Sequence, residues 1–344
     1  MEDKYSELNY SLNEIFNNIN QRTPFLDQNI LELMFINDAF TSAIRNYSFG
    51  ETLDKNNLTY EEVIKISRKI VERINKDYLE DFDSLVPNGN FIVSDSYEFF
   101  DSNFSYYVEP RIKALNINRK FNYEDIMILI HEFMHYELYD IENSKENYEL
   151  LTEFFSIYFE MKAYDYLMDL NVPKNEICRF KRLVYTAKEA EKIFPMSCPI
   201  IAFTQFGKVD DESFELIKEY FYKKLKKNNF NYEVNYLSDY IDKEKKKHFP
   251  NEEWIAYDVV ANDIIVSFKY IIGTILTFYA RKYCKEENVL KAYKNLNLNM
   301  GIDKILDDMG IQENINVVFS KGIDEIEGYL KSNEIEEKGK VKWK

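Results

Sequence analysis

The sequence predicts a mainly α-helical protein with a small β-sheet. Three observations lead there. Glycine and proline number only 9 and 7 in 344 residues, too few for the tight turns of an all-β fold. Apolar residues recur at helical spacing over most of the chain. Only two short segments, 91–94 and 106–117, have strand-like composition. An apolar fraction of 45% and a charged fraction of 30% are those of a globular chain with a substantial core. No repeat, low-complexity linker or composition shift marks a boundary, so a single domain over 1–344 is expected.

Residues 58–78, LTYEEVIKISRKIVERINKDY, place Val63, Ile64, Ile66, Ile70, Val71 and Ile74 on one helical face. The segment 106–117 alternates in part and contains Pro110, which suits an edge strand. From Asn122 the pattern is helical again. Asn122 with Asp125 three residues on resembles an N-cap with its acidic partner, and IMILIHEFMHYELYD follows without Gly or Pro. The apolar density of that run predicts a buried helix. The next helix, 146–170, ends at Asn171-Val-Pro173. Residues 333–344, NEIEEKGKVKWK, read as a charged tail.

The formal net charge of −16 argues against nucleic acid as a partner, because such binding depends on Lys and Arg neutralising phosphates. The basic run 243–247 is interrupted by Glu244 and reads as a solvated face. Three cysteines without CxxC spacing argue against a disulfide framework. The N-terminus, MEDKYSELNYSLNEIF, lacks the apolar core of a signal peptide. The most apolar stretch, 264–280, is interrupted by Lys269 and reads as too short to span a bilayer. A cytoplasmic protein without membrane contact is expected.

The chemistry is concentrated at residues 131–135, His-Glu-Phe-Met-His. Two of the chain's three histidines lie here. On a helix, positions i and i+4 share a face, so both imidazoles can reach one metal ion. Glu132, about 100° round the helix, can reach a water on that ion. Histidines on a buried helix need partners, since an unsatisfied buried polar group costs about 1–3 kcal/mol. A metal supplies them; the competing reading is a hydrogen-bonded pair of core histidines. A third ligand is expected on the following helix, whose polar stripe is Glu149, Glu153, Ser156 and Glu160. Zinc accepts two His and one Glu with water in the fourth position. Pattern alone leaves Glu149, Glu153 and Glu160 open.

These motifs resemble the M3 family of zinc peptidases, the thimet oligopeptidase and oligoendopeptidase F group. HEFMH is similar to that family's HEFGH. EFFSIYFE, residues 153–160, is similar to its third-ligand helix, in which the metal Glu is followed by Ser at +3 and an acid at +7. The resemblance selects Glu153 and extends over about 58–330, leaving 1–57 as an N-terminal helical extension. It implies a zincin-like fold of the gluzincin type, with the small sheet beside the zinc-binding helix. It also places the helix FKYIIGTILTFYA, 268–280, opposite the metal. Met134 stands where the family has Gly, and the linker between His135 and Glu153 is shorter. The family's His before this last helix has no counterpart at its usual spacing. Most members also carry a long N-terminal half that roofs the substrate channel.

The function expected from the residues and the resemblance together is zinc-dependent hydrolysis of peptides. His131, His135 and Glu153 would hold Zn²⁺, and Glu132 would act as general base. Tyr270 is the first candidate for stabilising the oxyanion, followed by Tyr257 and His248. One alternative is a retired zincin that binds peptides without cutting them; the intact Glu132 argues against it. Another is a helical scaffold without metal.

Overall fold

A computed structural model of the chain describes residues 5–45, 58–87, 91–94, 103–107, 112–118, 122–138, 149–170, 181–193, 196–225, 236–248, 253–296 and 302–337. It is mainly helical. In chain order come α1 (Ser6–Arg22), α2 (Pro24–Arg45), α3 (Tyr60–Ile74), α4 (Leu79–Ser84), β1 (Phe91–Ser94), β2 (Asn103–Tyr107), β3 (Ile112–Asn118), α5 (Tyr123–Leu138) and α6 (Glu149–Asp169). They are followed by α7 (Lys181–Ile193), α8 (Ser197–Phe206), α9 (Asp211–Leu225), α10 (Tyr236–His248), α11 (Glu253–Tyr283), α12 (Glu286–Asn295), α13 (Ile302–Asp308) and α14 (Ile315–Glu337).

Local chemistry explains the main boundaries. Thr59 and Glu62 form a reciprocal capping box at the start of α3. Asn122 starts α5: its side-chain oxygen accepts from the Glu124 amide at 3.0 Å. Helix α14 continues to Glu337, five residues into the segment that composition marks as a tail; 338–344 lie outside the described residues.

The strands form one sheet in the order β1-β3-β2, with β1 parallel and β2 antiparallel to β3. The segment 106–117 is therefore not a single edge strand. Tyr106 and Tyr107 end β2, Ile112 begins β3, and β3 is central. Pro110 falls between them, outside the described residues.

The layers run from the sheet inward. Strands β2 and β3 pack on α5, α5 on α6, and α6 on α11, which also receives α14, α7, α1 and α10. One apolar core joins these helices, α1 and α2 included, with β3 through Leu115. Helix α11 is longer than the 264–280 apolar run suggests. Over Ala256–Tyr283 it is long and apolar enough to cross a membrane by length and composition, but 67% of its most apolar window is buried among the protein's own helices. Its hydrophobicity is thus accounted for by its central position.

Close approach fixes α6 between its neighbours. Tyr293 of α12 sets its ring against Phe155 and Phe159 of α6 and donates its hydroxyl to the Met134 carbonyl of α5 at 2.9 Å. On the other side, Gly273 of α11 meets the backbone of α6: a Cβ there would lie 2.9 Å from the Phe154 nitrogen and 3.1 Å from the Glu153 carbonyl carbon. One turn later the Thr277 hydroxyl donates to the Phe154 carbonyl at 3.3 Å.

Two glycine substitutions should therefore have opposite effects in urea denaturation. Gly273→Ala forces a methyl into α6 backbone and should cost about 1–3 kcal/mol. Gly328→Ala, on the exposed face of α14 with nothing within 4 Å of the new Cβ, should stabilise by about 0.5–1 kcal/mol.

Candidate metal centre

Helix α5 supplies His131, Glu132 and His135, and α6 supplies Glu153 and Glu160. Both helices are apolar on nearly every face, so their polar residues are buried with them: His131, Glu132, Glu153, Ser156 and Glu160 are all buried. The polar stripe on α6 is thus not a solvent face. It points at α5 and α11. The side chain of Glu149 lies outside the described residues.

The two imidazoles and one carboxylate converge. His131 Nε2 lies 3.2 Å from His135 Nε2 and 3.3 Å from Glu153 Oε2, and His135 Nε2 lies 3.4 Å from Glu153 Oε1. Ligand atoms about 2.0–2.1 Å from a tetrahedral zinc stand about 3.3–3.4 Å apart, so these separations match the edges of such a shell. Glu153 Oε2 is buried without a hydrogen-bond partner. Two imidazole lone pairs aimed at one point also repel unless a proton or a cation lies between them. The donor set fits a metal ion, and its chemistry is compatible with zinc. The His135 side chain is 14% exposed against 5% for His131, so the opening is on the His135 side.

The other nitrogen of His131 is held from outside. Glu160 Oε2 lies 3.0 Å from Nδ1. If Nδ1–H donates to this carboxylate, Nε2 keeps its lone pair for a metal. The Arg182 guanidinium of α7 forms a close ion pair with the same Glu160 oxygen and stands 3.2 Å from Nδ1. Two donors cannot bond each other, so Arg182 acts on Glu160 and not on the ring.

Electrostatics follow from burial and pairing. Burial opposes ionisation of Glu153, yet His135, Lys269 and His131 beside it hold its carboxyl well below the usual range. Glu160 is likewise depressed by Arg182 and His131 against the effect of burial. For Glu132 burial prevails over the pull of the two histidines, and its carboxyl is raised. A raised carboxyl is better matched to proton transfer near neutrality. Burial and Arg182 both work against a charged His131, but Glu153 and Glu160 outweigh them and lift the metal-free imidazole to about 9.

Tyr270 lies beside the cluster. Its ring meets that of Tyr185 edge-on at 4.9 Å, and the Arg182 guanidinium lies 5.7 Å from its ring centre. Burial and the Glu153 carboxylate raise the phenol well above its ordinary range, so it stays a donor. Tyr257 is not brought to the site. It lies on the same helix about 18 Å before Lys269 by helical rise, with its ring against Tyr10. His248 ends α10, and its side chain lies outside the described residues.

Two residues at the centre were not foreseen as parts of it, Lys269 and Arg182. Lys269 Nζ lies 3.2 Å from Glu153 Oε1. Its one sequence signal was a lysine interrupting an otherwise apolar helix. Arg182, 29 residues beyond Glu153, carries no comparable local signal.

No family model matches the chain, and no curated protein does. Among solved structures it is similar to PZ peptidase A with inhibitor 2, at 12% identity and a TM-score of 0.45. The similarity takes in 96% of this chain and 59% of that one, so the chain spans less than two thirds of that structure.

The raised His131 sets a pH test. A histidine whose folded pKa exceeds its unfolded value contributes stability that is full below the unfolded pKa and is lost as pH rises through the folded one. In chelator-treated protein the melting temperature should therefore fall as pH rises from 6.5 towards about 9. Saturating zinc should remove this part of the fall, because a ligating imidazole is neutral.

Proposed function

We propose that the chain is a zinc-dependent metallopeptidase, similar to the M3 family, that hydrolyses peptide bonds. The carrying observation is the convergence of His131, His135 and the unpartnered Glu153 oxygen on one point, with the raised Glu132 carboxyl next to it. The HEFMH and EFFSIYFE motifs and their resemblance to that family support the same reading.

In this reading His131, His135 and Glu153 hold the metal. Zinc held there supplies Lewis acidity, which acidifies water and polarises a carbonyl. Glu132 takes the proton of the attacking water and passes it to the leaving amine. Its burial keeps bulk water from competing for that proton. Glu160, backed by Arg182, fixes the His131 ring and its tautomer. Tyr270, kept protonated, donates to the oxygen that gains charge in the transition state. An extended peptide would lie along an edge of the β1-β3-β2 sheet by adding a strand.

A second reading, a peptide-binding protein that keeps the site without turnover, draws on Lys269, which already occupies one oxygen of the proposed ligand. One assay separates the two. Zinc-loaded protein should cleave members of a mixed peptide library, chelation should stop it, and Glu132→Gln should abolish cleavage with zinc content retained. Binding of library peptides without cleavage by the zinc-loaded protein would favour the second reading. Tyr270→Phe should lower kcat and kcat/KM together by about 10²–10³, the usual cost of one oxyanion donor. Unchanged kinetics would leave Tyr270 as a packing residue.

A further inference from the structure

Lys269 has no part in the chemistry just described, yet it lies at its centre. It projects from the middle of α11, where Phe268, Ile271 and Ile272 are fully buried, and its side chain is only 17% exposed. Placing a lysine there is costly unless an anion meets it. The anion is Glu153 Oε1, 3.2 Å away. The other oxygen of the same carboxylate, Oε2, faces His131 Nε2 at 3.3 Å and has no hydrogen-bond partner. The two oxygens are therefore in different situations: one is held by an ammonium group and the other is left for a ligand.

The charges give this division its meaning. A carboxylate as buried as Glu153 cannot remain ionised without a counter-charge. Lys269 supplies one that is not itself a candidate metal ligand, unlike the two histidines that also hold Glu153. A divalent cation arriving at Oε2 then meets a positive charge one carboxylate away, in a site where little water screens the repulsion. The Tyr270 ring, 5.6 Å from Nζ, offers the ammonium group a second partner.

We propose that Lys269 is the resident cation of this centre. It pairs with Glu153 Oε1 in the metal-free protein, leaving Oε2 aimed at the histidines, and opposes the metal once bound, so that the site is preformed but its zinc exchangeable. This rests on the zinc-site reading above.

The test compares the full chain with Lys269→Met and Lys269→Arg after chelator treatment. Metal-free melting temperatures are measured first. Zinc affinity is then measured by competition with a chromophoric chelator. Lys269→Met should melt lower without metal, bind zinc about tenfold or more tighter, and gain more melting temperature from zinc than the wild type. Lys269→Arg should behave as wild type in all three. Equal or weaker zinc binding by Lys269→Met, or an unchanged metal-free melting temperature, would overturn the proposal. Should Lys269→Met fail to fold even with zinc, Lys269→Gln, which keeps a donor for Oε1 without the charge, carries the same affinity test. A wild-type protein that binds no zinc would sink the zinc-site reading itself. A wild type that binds zinc with an affinity indifferent to residue 269 would sink this proposal alone.

Discussion

The rest of this structure depends on how buried carboxylates on α6 are compensated. Glu153 and Glu160 sit on a helix packed on both sides, against α5 and against α11. A buried anion survives only with a paired cation or a ligand. Each carboxylate therefore dictates a partner from a different element: Lys269 from α11 for Glu153, and Arg182 from α7 for Glu160. His131 of α5 touches both. Four helices are tied together by charges that none of them could bury alone.

Apolar packing makes that geometry narrow. Gly273 allows α11 to approach the α6 backbone at the residue pair that includes Glu153, and Tyr293 clamps α6 to α5 from the opposite side. A side chain at 273 would press on the α6 backbone at Glu153 and Phe154, beside the proposed ligand. The glycine's cost in helix propensity, about 1 kcal/mol, is offset by a contact that serves both the core and the site.

Much of the centre was legible in the sequence, because HEFMH needs only helical periodicity to bring two imidazoles to one face. The Asn122 cap and the α5 and α6 helices were readable for the same reason: each is a local property. What was not readable depends on tertiary contact. No spacing rule connects residue 182 to residue 160, and a stripe of Glu and Ser at 4, 3 and 4 is ordinarily a wet face. Only the discovery that α6 is covered on both sides turns that stripe inward. Tyr257 shows the opposite failure. It shares α11 with Tyr270, but nearly four turns of helix carry it to Tyr10.

The balance of charge at the centre bears on what it can do. With Glu132 ionised, as a general base must be, the three buried carboxylates Glu132, Glu153 and Glu160 face two cationic side chains, Lys269 and Arg182, which leaves the metal-free cluster one positive charge short. The lifted His131 fits that deficit, since a protonated imidazole supplies the missing charge. A divalent ion with both histidines neutral reverses the sign and leaves one positive charge in excess. In a buried site such an excess is unfavourable at rest and favourable when a single negative charge develops nearby. An amide carbonyl under attack by water develops that charge. On the proposed function, Lys269 would weaken the hold on the metal and, by the same positive charge, raise the advantage of a negatively charged transition state over a neutral peptide.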